Sequence, residues 1–223
     1  MITKYDEKII MIKATISKLL NDITKADELS LEAFKEKNED KFREVDLLLN
    51  NLNAKGDMID NEIIKTFALY GPEAKELRFL VSYLKMTNEI VRIGEGVKKY
   101  AKKIASHLSD HCKIEPFESS IILLHKSSIN ALRYILECFE RDDECAFEDT
   151  YRKVVVEESM NDDLFSVLEK EILNKLIDEK EFSIEYVKLL STLRKLERAC
   201  DRSVNIANLL LYAHQGGEIN TQK

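Results

Sequence analysis

Apolar residues recur at steps of three and four along nearly the whole chain, and only two prolines and six glycines interrupt them. That periodicity is the mark of amphipathic α-helices. It is longest near the end, where Leu189, Leu193, Leu196, Cys200, Val204, Ala207 and Leu211 form one stripe within LRKLERACDRSVNIANLLLYAHQGGEI, Leu193 to Ile219. Two acids interrupt it. On a wheel of about 100° per residue, Glu197 falls roughly 40° from the stripe and Asp201 about 80° from it, at its edge. A carboxylate facing a core costs several kcal/mol unless a cation answers it. For Glu197 alone the simplest account is a pair with Arg194, Arg198 or Arg202.

Read in order, the pattern predicts an all-α chain of six long helices. The first runs from Thr3 to about Lys37 on Ile9, Ile12, Ile16, Leu19, Ile23 and Ala26. Asn38 and Asp40 are capping candidates for a second, carried to about Tyr70 by Val45, Leu49, Leu52, Ile59, Ile63 and Phe67. Gly71-Pro72 stops it, and Pro72 opens a third helix to Leu108. His111 to Pro116 connects to the second half. A fourth helix follows Pro116, a fifth has the seam Phe147, Tyr151, Val154, Glu158, Phe165, Leu168, Ile172 and Leu176, and a sixth runs from Phe182 to His214, stopped by Gly216-Gly217.

The third and sixth helices align at an offset of 106: Leu84 with Leu190, Ile90 with Leu196, Arg92 with Arg198, Glu95 with Asp201, Ala101 with Ala207. We read this as internal duplication, two tandem three-helix bundles spanning residues 1–112 and 113–223.

Charge follows the same division. The chain carries a net −7, with 20 basic against 19 acidic residues in 1–113 and 14 against 22 in 114–223. No basic stripe suits nucleic acid. The N-terminus MITKYDEK has no apolar run behind it, and the longest apolar runs are too short to span a bilayer. At most, association with a membrane is peripheral. Cys112, Cys138, Cys145 and Cys200 show no framework spacing and read as reduced thiols in a cytoplasmic protein.

On the fifth helix Glu158 and Asp162 repeat the spacing of Glu197 and Asp201. If the two helices pack together, four carboxylates converge, and they then need bound protons or cations. Oxygen-only ligands suit hard cations such as Mg²⁺, Mn²⁺, Ca²⁺ or ferric iron. The alternative is a ring of ion pairs using Arg152 and Arg198.

The segment KLERACDRSVNIA resembles the hallmark E-R-I-G-D-x-x-x-N-I of the PhoU family of phosphate-uptake regulators. Glu197, Arg198, Asp201, Asn205 and Ile206 match it, whereas Ala199 and Cys200 depart from its Ile-Gly. PEAKELRFLVSYLKMTNEIVRIGE resembles the first-repeat version, with Pro72, Ala74, Leu77 and Arg78 on its P-x-A-x-x-L-R entry, and Glu158-xxx-Asp162 matches the second acid pair. The resemblance implies a metal centre on Glu158, Asp162, Glu197 and Asp201, holding divalent or ferric ions (Fe, Mg, Mn or Zn). It also implies a cytoplasmic, non-enzymatic adaptor between a phosphate transporter's ATPase subunit and a sensor histidine kinase, and a homodimer. An accessory protein of a Pit-type transporter is the alternative. The first repeat departs from the pattern: Val91 replaces an acid beside Glu95, and the helix-two acids fall on Leu49 and Asn53. Metal is expected on the second repeat, with Leu49 and Val91 packed together across helices two and three.

Weaker signals point elsewhere. His107 and His111, beside Asp110 and Cys112, have a spacing compatible with zinc, though a helix end favours His regardless. His125 reads as a hydrogen-bonded core residue. Cys200 has no His base nearby in sequence. A carboxylate-bridged di-iron enzyme would use Glu-x-x-His pairs, and none of the four histidines has a Glu three residues before it.

Overall fold

The computed structural model describes residues 3–109, 114–141 and 144–217. Its helices are α1 (Lys4–Glu36), α2 (Glu39–Leu48), α3 (Leu52–Tyr70), α4 (Ala74–Ser109), α5 (Glu118–Arg141), α6 (Phe147–Asp178) and α7 (Ser183–Gln215). Single 3₁₀ turns, Glu115–Phe117 and Lys180–Phe182, lead into α5 and α7. No helix among the described residues is long and apolar enough to cross a membrane.

Caps set several of the boundaries. Thr3 and Asp6 form a reciprocal capping box, and the Asn38 side chain accepts from the amides of Asp40 and Lys41. Gly216 ends α7 with a φ of 81°. Pro72 lies two residues ahead of α4 rather than in its first turn.

The expected second helix is two. α2 stops at Leu48, Asn51 takes a left-handed φ of 57°, and α3 restarts at Leu52. Asn tolerates that conformation better than most residues, so Asn50-Asn51 is the sequence signal of the break. Two of the four cysteines also differ from expectation. Cys138 and Cys145, at the two sides of the α5–α6 connection, form a disulfide, whereas Cys200 is a buried free thiol. Cys112, and with it the zinc reading that joined Asp110 and His111 to His107, lies outside the described residues, as does the boundary between residues 112 and 113. His107 itself is buried, its Nε2 3.2 Å from Thr192 Oγ1.

Two three-helix units share one core. α1, α4 and the broken α2–α3 arm make the first, α5, α6 and α7 the second, and they join chiefly where α4 packs along α7. Pairs related by the duplication occupy equivalent environments: Ile90 and Leu196 are buried, as are Ala101 and Ala207, while Leu84 and Leu190 are both half-buried. Across the junction Arg78 Nε donates to the carbonyl of Ala213 at 3.1 Å, placing a cation at the negative end of α7. His125 is indeed a core residue. Its Nε2 lies 2.7 Å from Asp27 Oδ1, with both side chains fully buried, which ties α5 to α1.

Close approach of α4 to α1 and α3 depends on Gly94. A Cβ there would stand 2.8 Å from Leu52 Cδ1 and 3.0 Å from Ile23 Cδ1, whereas one on Gly96 would meet nothing within 4 Å. Overpacking costs about 1–3 kcal/mol, and removing a mid-helix glycine returns about 0.5–1 kcal/mol. Gly94→Ala should therefore destabilise by roughly 1 kcal/mol and Gly96→Ala should stabilise by roughly 0.5–1 kcal/mol. Urea unfolding of the two variants checks this, and equal effects at the two positions would contradict the packing.

Candidate metal centre

The carboxylates come from α6 and α7, and their placement follows from the residues beside them. On α6 the buried seam passes through Val154, Glu157, Asn161, Phe165, Leu168 and Ile172. Glu157 and Asn161 face α5: Asn130 Nδ2 donates to Glu157 Oε1 at 3.2 Å, and Asn161 Nδ2 donates to the Leu124 carbonyl at 2.9 Å. Glu158 and Asp162 follow them by one residue each, about 100° around the helix. They are not on the buried seam, as the sequence pattern suggested, but at its edge, Glu158 half-buried and Asp162 exposed. Glu197 and Asp201 sit half-buried on α7, which packs against α6.

Glu158, Asp162 and Asp201 each place a carboxylate oxygen within 4.8 Å of the other two. Glu197 is outside this threesome but close to it, since the charges of Asp201 and Asp162 bear on it. Burial, then the charge of Asp162, push the pKa of Asp201 up; burial, then Asp162 and Asp201, do the same for Glu158. Glu197 is likewise raised, first by burial and then by Asp201, with Arg194 and Arg198 opposing.

The ring of arginine pairs is not what forms. Arg152 pairs with Glu148 at 3.5 Å, Arg194 with Glu169 at 3.1 Å, and Arg202 with Glu89 at 2.6 Å. Among the described residues no Lys, Arg or His lies within ion-pair distance of Glu158, Asp162, Glu197 or Asp201. Three converging hard oxygens with a fourth carboxylate alongside, and no cationic side chain in ion-pair contact with them, make a donor set of the type that suits a hard cation.

The first repeat offers a different surface. Asn53 Nδ2 donates to Glu95 Oε1 at 3.4 Å, and Lys99 Nζ lies 3.9 Å from Glu95. The Asn53–Glu95 contact supports matching Asn53 to Asp162. Leu49 is buried at the end of α2, its carbonyl accepting from Lys98 Nζ at 3.5 Å. Val91 closes on Gly56: a Cβ there would be 2.7 Å from Val91 Cγ2. Apolar side chains thus occupy both positions, with Leu49 buried and Val91 half-buried against Gly56.

Cys200 lies beneath the acids. Burial, followed by the charges of Glu158 and Asp201, holds its thiol far above the usual range, which disfavours the thiolate. Asp27 and Glu157 are buried acids that the apolar periodicity did not single out. For Asp27 the available signal was its place one turn beyond Ile23 on the α1 stripe.

The family model for the PhoU domain matches residues 16–104 and again 121–210. The chain belongs to the PhoU family. Among its relatives, the phosphate-specific transport system accessory protein PhoU homolog 1 of Thermotoga maritima is 22% identical over 95% of this chain and 89% of its own length. The PhoU protein of Serratia marcescens is 22% identical over 72% of this chain and 64% of its own. Among solved structures, the phosphate transport system regulatory protein PhoU from Streptococcus pneumoniae superposes with a TM-score of 0.80 at 19% identity, covering 98% of this chain and all of that one. PhoU from Pseudomonas aeruginosa gives 0.72 at 20%, covering 96% of each. These structures share the PhoU two-repeat fold.

The raised acids fix a pH dependence. A carboxyl group that binds its proton more tightly folded than unfolded makes the folded state hold more protons between the two pKa values, so stability falls as pH rises through that window. Without metal, the protein should gain stability on acidification from neutral toward the ordinary carboxylate range, relative to a Glu158→Gln, Glu197→Gln, Asp201→Asn variant. Melting temperatures of the two chelated proteins against pH test this, and parallel curves would contradict it.

Proposed function

We propose that the chain is a metal-binding regulatory adaptor of phosphate uptake, acting without catalysis on the cytoplasmic side of a phosphate transporter. The observation that carries the metal is the approach of Glu158, Asp162 and Asp201 oxygens within 4.8 Å, with no cationic side chain in ion-pair contact with them among the described residues. Family membership, and the names of the relatives as phosphate-specific transport accessory proteins, support the regulatory role.

Glu158, Asp162 and Asp201 would hold the ion, with Glu197 completing the set from one turn before Asp201. When bound, the ion supplies the positive charge that these acids lack. The chain's own residues then fix the rest. Asn161 and Glu157 anchor α6 to α5, Cys200 and its apolar neighbours pack below, and α7 is held against α4. Holding α6 to α7 at this edge presents a defined, rigid surface to the transporter's ATPase subunit and to a sensor histidine kinase. The first repeat, with Asn53 and Val91 where acids would be needed, adds contact surface and no second cluster of this kind.

The test combines content and function. Glu197→Ala with Asp201→Ala should lower metal content to background while leaving helicity nearly intact, and Glu95→Ala should leave stoichiometry unchanged. The double variant should then fail to restore normal phosphate uptake in a strain lacking the protein. Retained metal would refute the ligand set; normal uptake in the deletion strain itself would refute the regulatory role.

A further inference from the structure

The α4–α7 junction opens on its solvent side into a groove of about 530 Å³. Arg92 and Lys99 enter it from α4, and Lys195, Arg198 and Arg202 from α7. Asn53 and Glu95 stand on the first-repeat wall, Glu95 being the one acid lining it among the described residues. Most of this positive charge is unanswered. Arg202 is taken by Glu89 at 2.6 Å, and Lys99 leans on Glu95 at 3.9 Å. Among the described residues Arg92, Lys195 and Arg198 have no carboxylate within 4.0 Å, and Lys195 Nζ donates to the Ser191 carbonyl at 2.8 Å. Glu197 and Asp201 lie on the other edge of α7, toward α6, near enough to interact with Arg198 at longer range.

The duplication explains how the cations meet. Arg92 and Arg198 hold the same position in the two repeats, and packing α4 on α7 brings both to one groove. Two guanidinium groups and an ammonium lining one groove repel unless an anion joins them. Guanidinium forks match the oxygens of a phosphoryl group, each able to donate two parallel hydrogen bonds. Lys195 adds a point charge, and the volume admits a phosphate with part of a larger molecule attached.

We propose that this groove binds a phosphoryl dianion between Arg92 of the first repeat and Arg198 of the second, either as inorganic phosphate or as the phosphate of a larger molecule. Bound there, the anion bridges α4 and α7 and so clamps the two repeats to each other. The proposal deepens the phosphate-regulatory reading and is independent of the metal, which belongs to the opposite edge of α7. Because the guanidinium heads are exposed, binding is expected to weaken with added salt.

The experiment uses the full chain treated with chelator, at low ionic strength, titrated calorimetrically with inorganic phosphate. A parallel arm measures co-sedimentation with phosphatidylcholine vesicles with and without phosphatidic acid. Saturable phosphate binding is expected, weakened at least tenfold by Arg92→Gln with Arg198→Gln and also weakened by Lys195→Gln. Arg152→Gln, on the exposed face of α6, should leave it unchanged. Circular dichroism confirms that each variant is folded. Sedimentation only with phosphatidic acid, lost in the double variant, would support the site with a lipid phosphate as its source. Absence of binding in both arms, binding retained in the folded double variant, or phosphate binding seen only when metal is restored would overturn it.

Discussion

The packing of α4 along α7 is the contact on which the molecule depends. It joins the two repeats into one core, in which Ile90, Ile93 and Val97 of α4 are buried together with Leu193, Leu196 and Ala207 of α7. Burial of each large aliphatic contributes roughly 1.5–3 kcal/mol. Once that face of α7 is committed to α4, its remaining edges are defined. One edge carries Glu197 and Asp201 toward α6; the other carries Lys195, Arg198 and Arg202 toward the groove. A single helix thus separates acid from base by rotation alone.

The acids are tolerated because they stand at an edge. Two carboxylates about 5 Å apart repel by roughly 1–3 kcal/mol at surface-like effective dielectrics. Deeper burial would have forced protonation or a paired arginine. Here Arg194 pairs with Glu169 and Arg202 with Glu89, and Arg198 acts on Glu197 and Asp201 only at longer range, so burial and mutual repulsion still outweigh the cations in the ion-free protein. A cation bound there would relieve that imbalance, and its binding free energy would add to stability by linkage. The first repeat solved the same position differently, by deleting charge. Val91 packs on Gly56, and Glu95 shares an amide and an ammonium.

Much of this was legible in the residues because the relevant signals are local. Helical periodicity, the Asn38 and Gly216 ends, and the acid pairs at i and i+4 all survive in the structure. The repeat offset pairs Arg92 with Arg198, both exposed in one groove, and Glu95 with Asp201, both half-buried. What escaped depends on small local choices or on distant partners. Asn50-Asn51 breaks a helix without Pro or Gly. From Val154 the seam continues through Glu157 at i+3 rather than Glu158 at i+4, a choice made by Asn130 across the interface. Asp27 looks like a surface acid until His125, on a helix of the other repeat, reaches it. Cys138 and Cys145 stand at a Cα separation of 5.1 Å, a pairing that no spacing rule announces.

We propose that the α6–α7 edge holds a cation and that the equivalent edge of the first repeat does not. The most direct measurement is an anomalous difference map from crystals grown with Mn²⁺ or Fe³⁺. A peak bonded to Glu158, Asp162 and Asp201 is expected, and none between Asn53 and Glu95. An arginine or lysine turned into the acid cluster with no peak, or an ordered ion at Glu95, would contradict it.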